Sequence, residues 1–152
     1  MMILNENSDF IRWEKRFELG IPTIDAQHKK LVDLCNELYL VIVRNKSRAT
    51  IPGWQEALSD ALRATVDYVK THFADEEKLL AAVGYEGLEQ QKAQHHGFTV
   101  KIAESLKTFN KATFQDAIDF VKFLYEWILQ HIAVSDKQYV RAVMEYAKTR
   151  QI

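Results

Sequence analysis

Hydrophobic residues along the chain recur at alternating steps of three and four, the spacing that lays an apolar stripe down one side of an α-helix. Four segments carry such a stripe. Ile24, His28, Leu31, Cys35, Leu38 and Ile42 form the first, and Leu58, Leu62, Thr65, Val69, His72, Glu76 and Leu79 the second. Leu88, Gln91, His95, Phe98, Ile102 and Phe109 form the third, and Ala117, Phe120, Leu124, Ile128 and His131 the fourth. The intervening stretches are polar or carry turn formers. Asn45 to Gly53 includes Pro52 and Gly53, Gly84-Tyr85-Glu86-Gly87 holds a glycine at each end, and Asn110 to Thr113 is short and polar. Thr113 followed three residues on by Asp116 predicts a helix N-terminal cap. The expected helices are about 21–45, 53–82, 86–109 and 114–135, each roughly 30 Å long at 1.5 Å per residue. Matched helices with short connections predict an all-α, up-down-up-down four-helix bundle. Residues 1–20 form an expected N-terminal arm whose Trp13 and Phe17 pack on the bundle. A short C-terminal helix is expected at about 137–148, and the chain, 1–152, reads as a single domain.

Composition agrees and narrows the setting. With 5 Gly and 2 Pro in 152 residues, the chain has room for only a few long elements. A hydrophobic fraction of 47% and a charged fraction of 27% are those of a globular protein that buries a core without cross-links. The net charge of −1 speaks against nucleic acid as a partner. The one cysteine, Cys35, rules out an intramolecular disulfide, fits a reducing compartment, and reads most simply as a small buried hydrophobe. Met1 to Phe10 lacks the basic-then-apolar run of a signal peptide. No apolar run approaches the ~20 residues of a membrane span. The expectation is a cytoplasmic protein without a membrane partner, a monomer or weak homo-oligomer.

The polar residues that fall on the apolar stripes carry the chemistry. His28, His72, His95 and His131, four of the five histidines, stand in register with leucines and isoleucines, and Glu76 does too. A buried carboxylate is costly unless it is paired, hydrogen-bonded or bound to a cation. Any one of these histidines alone reads as an ordinary hydrogen-bonded core residue, but their depths coincide. His28 lies early in the first helix, His72 and Glu76 late in the second, Gln91 and His95 early in the third, and His131 late in the fourth. In an antiparallel bundle those positions share one end, so the groups converge on one layer. His72 and Glu76, at i and i+4, share a helix face. His131 and Asp136, at i and i+5, stand about 140° apart on a regular helix. They converge only if the helix ends, bends or carries a π-bulge there. Imidazole and carboxylate donors suit iron, zinc, copper or manganese. Their number exceeds what one tetrahedral zinc needs and fits two metal ions better than one. Trp127 lies one turn before His131 on a similar face. Asp75, Glu77 and Lys78 read as a solvated face around the inward Glu76, and Glu37 and Glu104 as surface residues.

Here the sequence resembles the bacteriohemerythrins of the hemerythrin family. The resemblance rests on Gly20-Ile21-Pro22-Thr23-Ile24-Asp25-Ala26-Gln27-His28-Lys29-Lys30-Leu31 and on His72-Phe73-Ala74-Asp75-Glu76-Glu77-Lys78-Leu79. It continues through Gly84-Tyr85, His95 with Phe98, and Trp127-Ile128-Leu129-Gln130-His131-Ile132, with Asp136 five residues after His131. It runs from about Trp13 to about Tyr139. It implies a non-haem diiron centre that binds dioxygen as a carrier, store or supplier. One iron would be held by His28 and His72 and keep an open position for O2. Glu76 and Asp136 would bridge the ions together with a hydroxo or oxo group, and the second iron would take His95 and His131. In the family O2 binds end-on at the open iron and leaves as O2 again. Two electrons move onto it, and the bridging hydroxide lends its proton. Trp127 and Ile128 stand where the family places residues around the O2 pocket.

The chain departs from the family pattern at one ligand. The family has His-x-x-x-His where this sequence reads Gln91-Lys92-Ala93-Gln94-His95. His96 cannot substitute: it lies about 100° around the helix from His95 and is expected to face solvent. Gln91 stands on the correct row. Its amide oxygen could be a weak neutral ligand, bond a bound water, or stand aside. Losing an imidazole opens coordination at the second iron, which weakens the inference to reversible O2 carriage more than that to a diiron site. The competing reading is therefore a diiron oxidase, peroxidase or nitric-oxide-handling enzyme. No general acid or base beyond the ligands supports it, so a non-enzymatic role ranks first. An iron or oxygen sensor module ranks below both.

Overall fold

The computed structural model describes residues 13–48 and 54–150, of which 48, 57 and 150 by backbone alone. Residues 1–12 of the expected arm, and Pro52-Gly53 of the first connection, lie outside the described residues. Among the described residues the α-helices are α1 (Pro22–Arg44), α2 (Trp54–Val83), α3 (Leu88–Lys107), α4 (Phe114–Gln130) and α5 (Val140–Arg150). Helices α1 to α4 make an up-down-up-down bundle in which α1 packs on α2 and α4, and α2 on α3. Among the described residues there is no strand, and no helix is long and apolar enough to cross a membrane.

The helix ends follow from local chemistry. Pro22 occupies the first turn of α1, where its missing N–H costs nothing. The Asp25 carboxylate accepts the backbone N–H groups of Leu19 at 2.8 Å and Gly20 at 3.0 Å, tying the arm to the start of α1. Helix α2 stops at Gly84, whose φ of +68° suits glycine. The Tyr85 N–H bonds back to the Leu80 carbonyl and the Gly84 N–H to that of Ala81, the paired bonds of a Schellman end. At α4 the expected cap is present: Asp116 N–H donates to Thr113 Oγ1 at 3.1 Å, and Thr113 N–H donates to Asp116 Oδ2 at 2.9 Å.

Three boundaries differ from the expectation. Helix α3 ends at Lys107 and a 3-10 turn (Phe109–Lys111) follows. The fourth helix is α-helical only to Gln130, then widens into a π turn (His131–Ser135). A 3-10 turn (Asp136–Tyr139) then leads into α5, so the C-terminal α-helix begins at Val140 rather than at 137. In α2 the inward row passes from Glu76 to Leu80, which is fully buried, and Leu79 is only half-buried. A step of four from Glu76 keeps the row facing the bundle where a step of three drifts off it.

The core is in two parts. The larger apolar cluster runs from Leu31 and Phe73 through Leu124 to the far end of the bundle, and Phe17 packs into it with Trp13 against its edge. The smaller one gathers Leu19, Ile21, Ile24, Leu80, Tyr139 and Val143. Cys35 is buried in the larger cluster, and burial pushes its thiol up to about 12, which makes it an inert core residue. His28 falls between Ile24 and Leu31, and Glu76 between Phe73 and Leu80. A polar layer thus separates the two apolar clusters.

Candidate metal centre

Each helix of the bundle sends a side chain into that layer. His28 comes from α1, His72 and Glu76 from α2, His95 and Gln91 from α3, His131 from the end of α4, and Asp136 from the turn beyond it. All seven are buried; His28, Glu76 and Asp136 are 0% exposed. The π turn brings Asp136 in. By widening the helix after His131 it lets the side chains at i and i+5 face the same space, and His131 Nε2 lies 3.0 Å from Asp136 Oδ1.

Two sets of donor atoms result, and they share Glu76. His28, His72, Glu76 and Asp136 place one donor atom each within 4.8 Å of one another, and Glu76, His95 and His131 do the same. Each carboxylate divides its oxygens between the sets. Glu76 Oε2 is 3.1 Å from His72 Nε2 and 3.7 Å from His28 Nε2. Its Oε1 is 3.1 Å from His95 Nε2 and 3.6 Å from His131 Nε2. Asp136 turns Oδ2 toward His28, at 3.2 Å, and Oδ1 toward His131. A carboxylate with one oxygen in each set is placed to bridge two cations.

The surroundings decide what the ring nitrogens offer. His95 Nδ1 is 2.8 Å from Glu77 Oε2, and a carboxylate only accepts, so Nδ1 donates and Nε2 turns a lone pair inward. His72 Nδ1 is 2.7 Å from Gln27 Oε1, while Gln27 Nε2 donates to Asp75 at 3.0 Å. That fixes the amide and makes His72 Nδ1 the donor as well. Both inward nitrogens then face carboxylate oxygens of Glu76, and His95 Nε2 also meets His131 Nε2 at 3.0 Å. Lone pairs aimed at one another repel unless a proton or a cation lies between them. His28 Nε2 and Asp136 Oδ2 are buried without a hydrogen-bond partner although close together. Six donors of these types, crowded and partly orphaned, fit metal ions of the imidazole- and carboxylate-binding class.

Without metal the layer compensates with protons. Burial works against a charged His28 or His131, but Asp136 and Glu76 outweigh it and raise both, His131 to about 9. Burial would likewise raise Glu76, yet the four histidines gathered around it hold it well below the usual carboxylate range. Tyr139 O–H donates to Glu76 Oε2 at 3.3 Å, and burial beside Glu76 and Asp136 raises the phenol so that it stays a donor.

Aromatic rings wall the His95–His131 side. Phe73 stacks on His95 with centroids 3.9 Å apart, and Trp127 on His131 at 4.5 Å, with Phe98 stacked behind Trp127 at 4.1 Å. Ile128 is buried beside Trp127 in the same helix. Gln91 is buried near Asp136, with its Nε2 donating to Asp136 Oδ1 at 3.2 Å and to the Ser135 carbonyl at 3.3 Å. His96 is exposed, as expected. Glu77 does not belong to a purely solvated face: it is half-buried and holds His95. Gln27 and Tyr139 were not singled out from sequence either. These three residues act across helices, and only the i, i+1 adjacency of Glu77 to Glu76 gave a local hint.

The comparisons with known proteins agree with this centre. Residues 19–143 match the hemerythrin HHE cation binding domain. The chain belongs to the hemerythrin family. It is 29% identical over 129 residues to a bacteriohemerythrin of Clostridium acetobutylicum, spanning 84% of this chain and 97% of that one. It is 32% identical over 132 residues to one of Pseudomonas aeruginosa, spanning 86% and 80%. A crystal structure of wild-type hemerythrin superposes with a TM-score of 0.72 at 27% identity, covering 88% of this chain and 97% of that one. A buried histidine and carboxylate cluster in a cation-binding family makes this chain a cation-binding hemerythrin.

Proposed function

We propose that the chain binds two iron ions in the layer and, so loaded, binds dioxygen reversibly as a carrier, store or supplier. The observation that carries the two-ion reading is the division of Glu76, one oxygen to each donor set. His28 and His72 would hold one ion, His95 and His131 the other, and Glu76 and Asp136 would bridge them. Similarity to proteins named bacteriohemerythrin supports iron and dioxygen as the ion and ligand. A reduced iron pair supplies the two electrons that reversible O2 binding needs.

The remaining chemistry belongs to the chain. Glu77 and Gln27 lock His95 and His72 in the tautomer whose Nε2 faces inward, an outer-partner arrangement that orients ligands and raises their basicity. Tyr139 steadies Glu76 through its O–H. Phe73, Trp127 and Phe98 cover the His95–His131 side with apolar rings, and with buried Ile128 they keep bulk water from the layer, which favours release of O2 unchanged over its further reduction.

Elemental analysis of the purified protein should find about two irons per chain. The reduced protein should gain a visible charge-transfer band with O2 and lose it when O2 is removed. Two irons with a permanent ferric spectrum and turnover with a reductant would favour a diiron oxidase or peroxidase instead. One iron, zinc or no metal would overturn the proposal.

A further inference from the structure

The two sides of the centre are built unequally. Four donor atoms meet on the side of His28, His72, Glu76 and Asp136, and three on the side of Glu76, His95 and His131. Asp136 Oδ1 reaches the poorer side, 3.0 Å from His131 Nε2, but as a weakened bridging donor, because it also accepts an N–H from Gln91. Gln91 occupies the buried position one turn before His95 on α3. A further donor for the poorer side would reach in from there.

Its acceptors show how Gln91 is used instead. Nε2 donates both to the Ser135 carbonyl and to Asp136 Oδ1, two oxygens that only accept. Turning the amide over would set its oxygen against both. In the observed orientation the amide oxygen is buried without a partner, and the N–H groups cannot ligate a cation. The side chain therefore ties α3 to the π turn and holds Asp136. It is a positioning residue for the carboxylate rather than a donor to metal.

We propose that metal loading is sequential. The His28–His72 side takes the first ion tightly, and the His95–His131 side takes the second weakly and exchangeably, because the amide of Gln91 is committed to Asp136 and Ser135. This rests on the two-ion reading above. Glu77 works in the opposite sense, since a carboxylate behind an imidazole strengthens it as a ligand. Its side chain is 28% exposed, however, and it adds no donor atom. The affinity gap should be on the order of tenfold or more, because loss of even an outer partner costs about 10- to 100-fold in metal affinity.

The test is a titration of the metal-free full-length protein with Co2+, followed by calorimetry and by visible absorption. Two resolved steps are expected, the first about tenfold tighter or more. His131→Ala should abolish the weaker step and keep the tighter one, while His72→Ala should remove the tighter one. Gln91→His, which adds an imidazole on the poorer side, should tighten the second step and narrow the gap. Both ions taken up in one unresolved step, or loss of the tighter step in His131→Ala, would overturn the inequality and leave the two-ion reading standing. A single ion, kept in His131→Ala and lost in His72→Ala, would support the ranking of the sides but overturn the two-ion reading. No ion at all would overturn both.

Discussion

At the scale of single residues, the centre depends on side chains that touch no donor atom of Glu76 or Asp136. Glu77 sits one position along α2 from Glu76, points partly to solvent, and still reaches His95 Nδ1 at 2.8 Å. Replacing it with glutamine leaves an amide that can donate as well as accept, so the tautomer of His95 is no longer enforced. Glu77→Gln should weaken metal uptake by about tenfold with unchanged helical circular dichroism; an unchanged affinity would show that His95 is oriented by its stack on Phe73 alone. The primary candidates, His28, His72, Glu76, His95 and His131, were legible in the sequence because polar residues on an apolar stripe stand out. Glu77, Gln27 and Tyr139 were not. Each lies where a polar residue is unremarkable, and its partner comes from another helix. Gln91 stands on the inward row, but its acceptors, the Ser135 carbonyl and Asp136 Oδ1, lie at the π turn, which periodicity does not show.

At the scale of elements, periodicity showed four helices but not where a helix changes its winding. The i, i+5 spacing of His131 and Asp136 demanded an irregular turn, and the π turn at His131–Ser135 is that irregularity. The same widening shifts the start of α5, which a uniform helical pattern does not reveal. Two glycines separate what conformation and packing contribute at helix level. Gly84 closes α2 at φ +68°, and a Cβ there would meet nothing within 4 Å. Gly97 lies inside α3, is exposed, and likewise has open space around it. Only backbone preference distinguishes the two. Gly84→Ala should destabilise the protein by about 1–2 kcal/mol, the cost of a left-handed alanine. Gly97→Ala should stabilise it by about 0.5–1 kcal/mol. Denaturant unfolding of the two variants should move in opposite directions, and a shift of the same sign in both would refute the assignment of Gly84 as the helix end.

At the scale of the whole molecule, the charged layer lies between two apolar clusters, so its state of charge bears on the stability of the entire bundle. In the metal-free chain, His28 and His131 are raised above their ordinary 6.5, His131 to about 9. A histidine raised on folding stabilises fully below 6.5, and that contribution is lost as pH climbs through the folded value. Glu76, held well below its ordinary 4.5, stabilises above 4.5 and loses that contribution as pH falls through its folded value. The metal-free bundle should therefore lose stability between pH 6.5 and 9. Metal has the opposite dependence. It requires unprotonated imidazoles, so its binding releases protons and tightens as pH rises, and tighter binding stabilises the folded state further. The gap in Tm between the metal-loaded and the metal-free protein should widen steadily from pH 6.5 to 9. Thermal scans of both forms across that range decide the matter. If the gap is constant or narrows, the groups that take up metal are not the ones that hold these protons, and the cation lies outside the histidine layer.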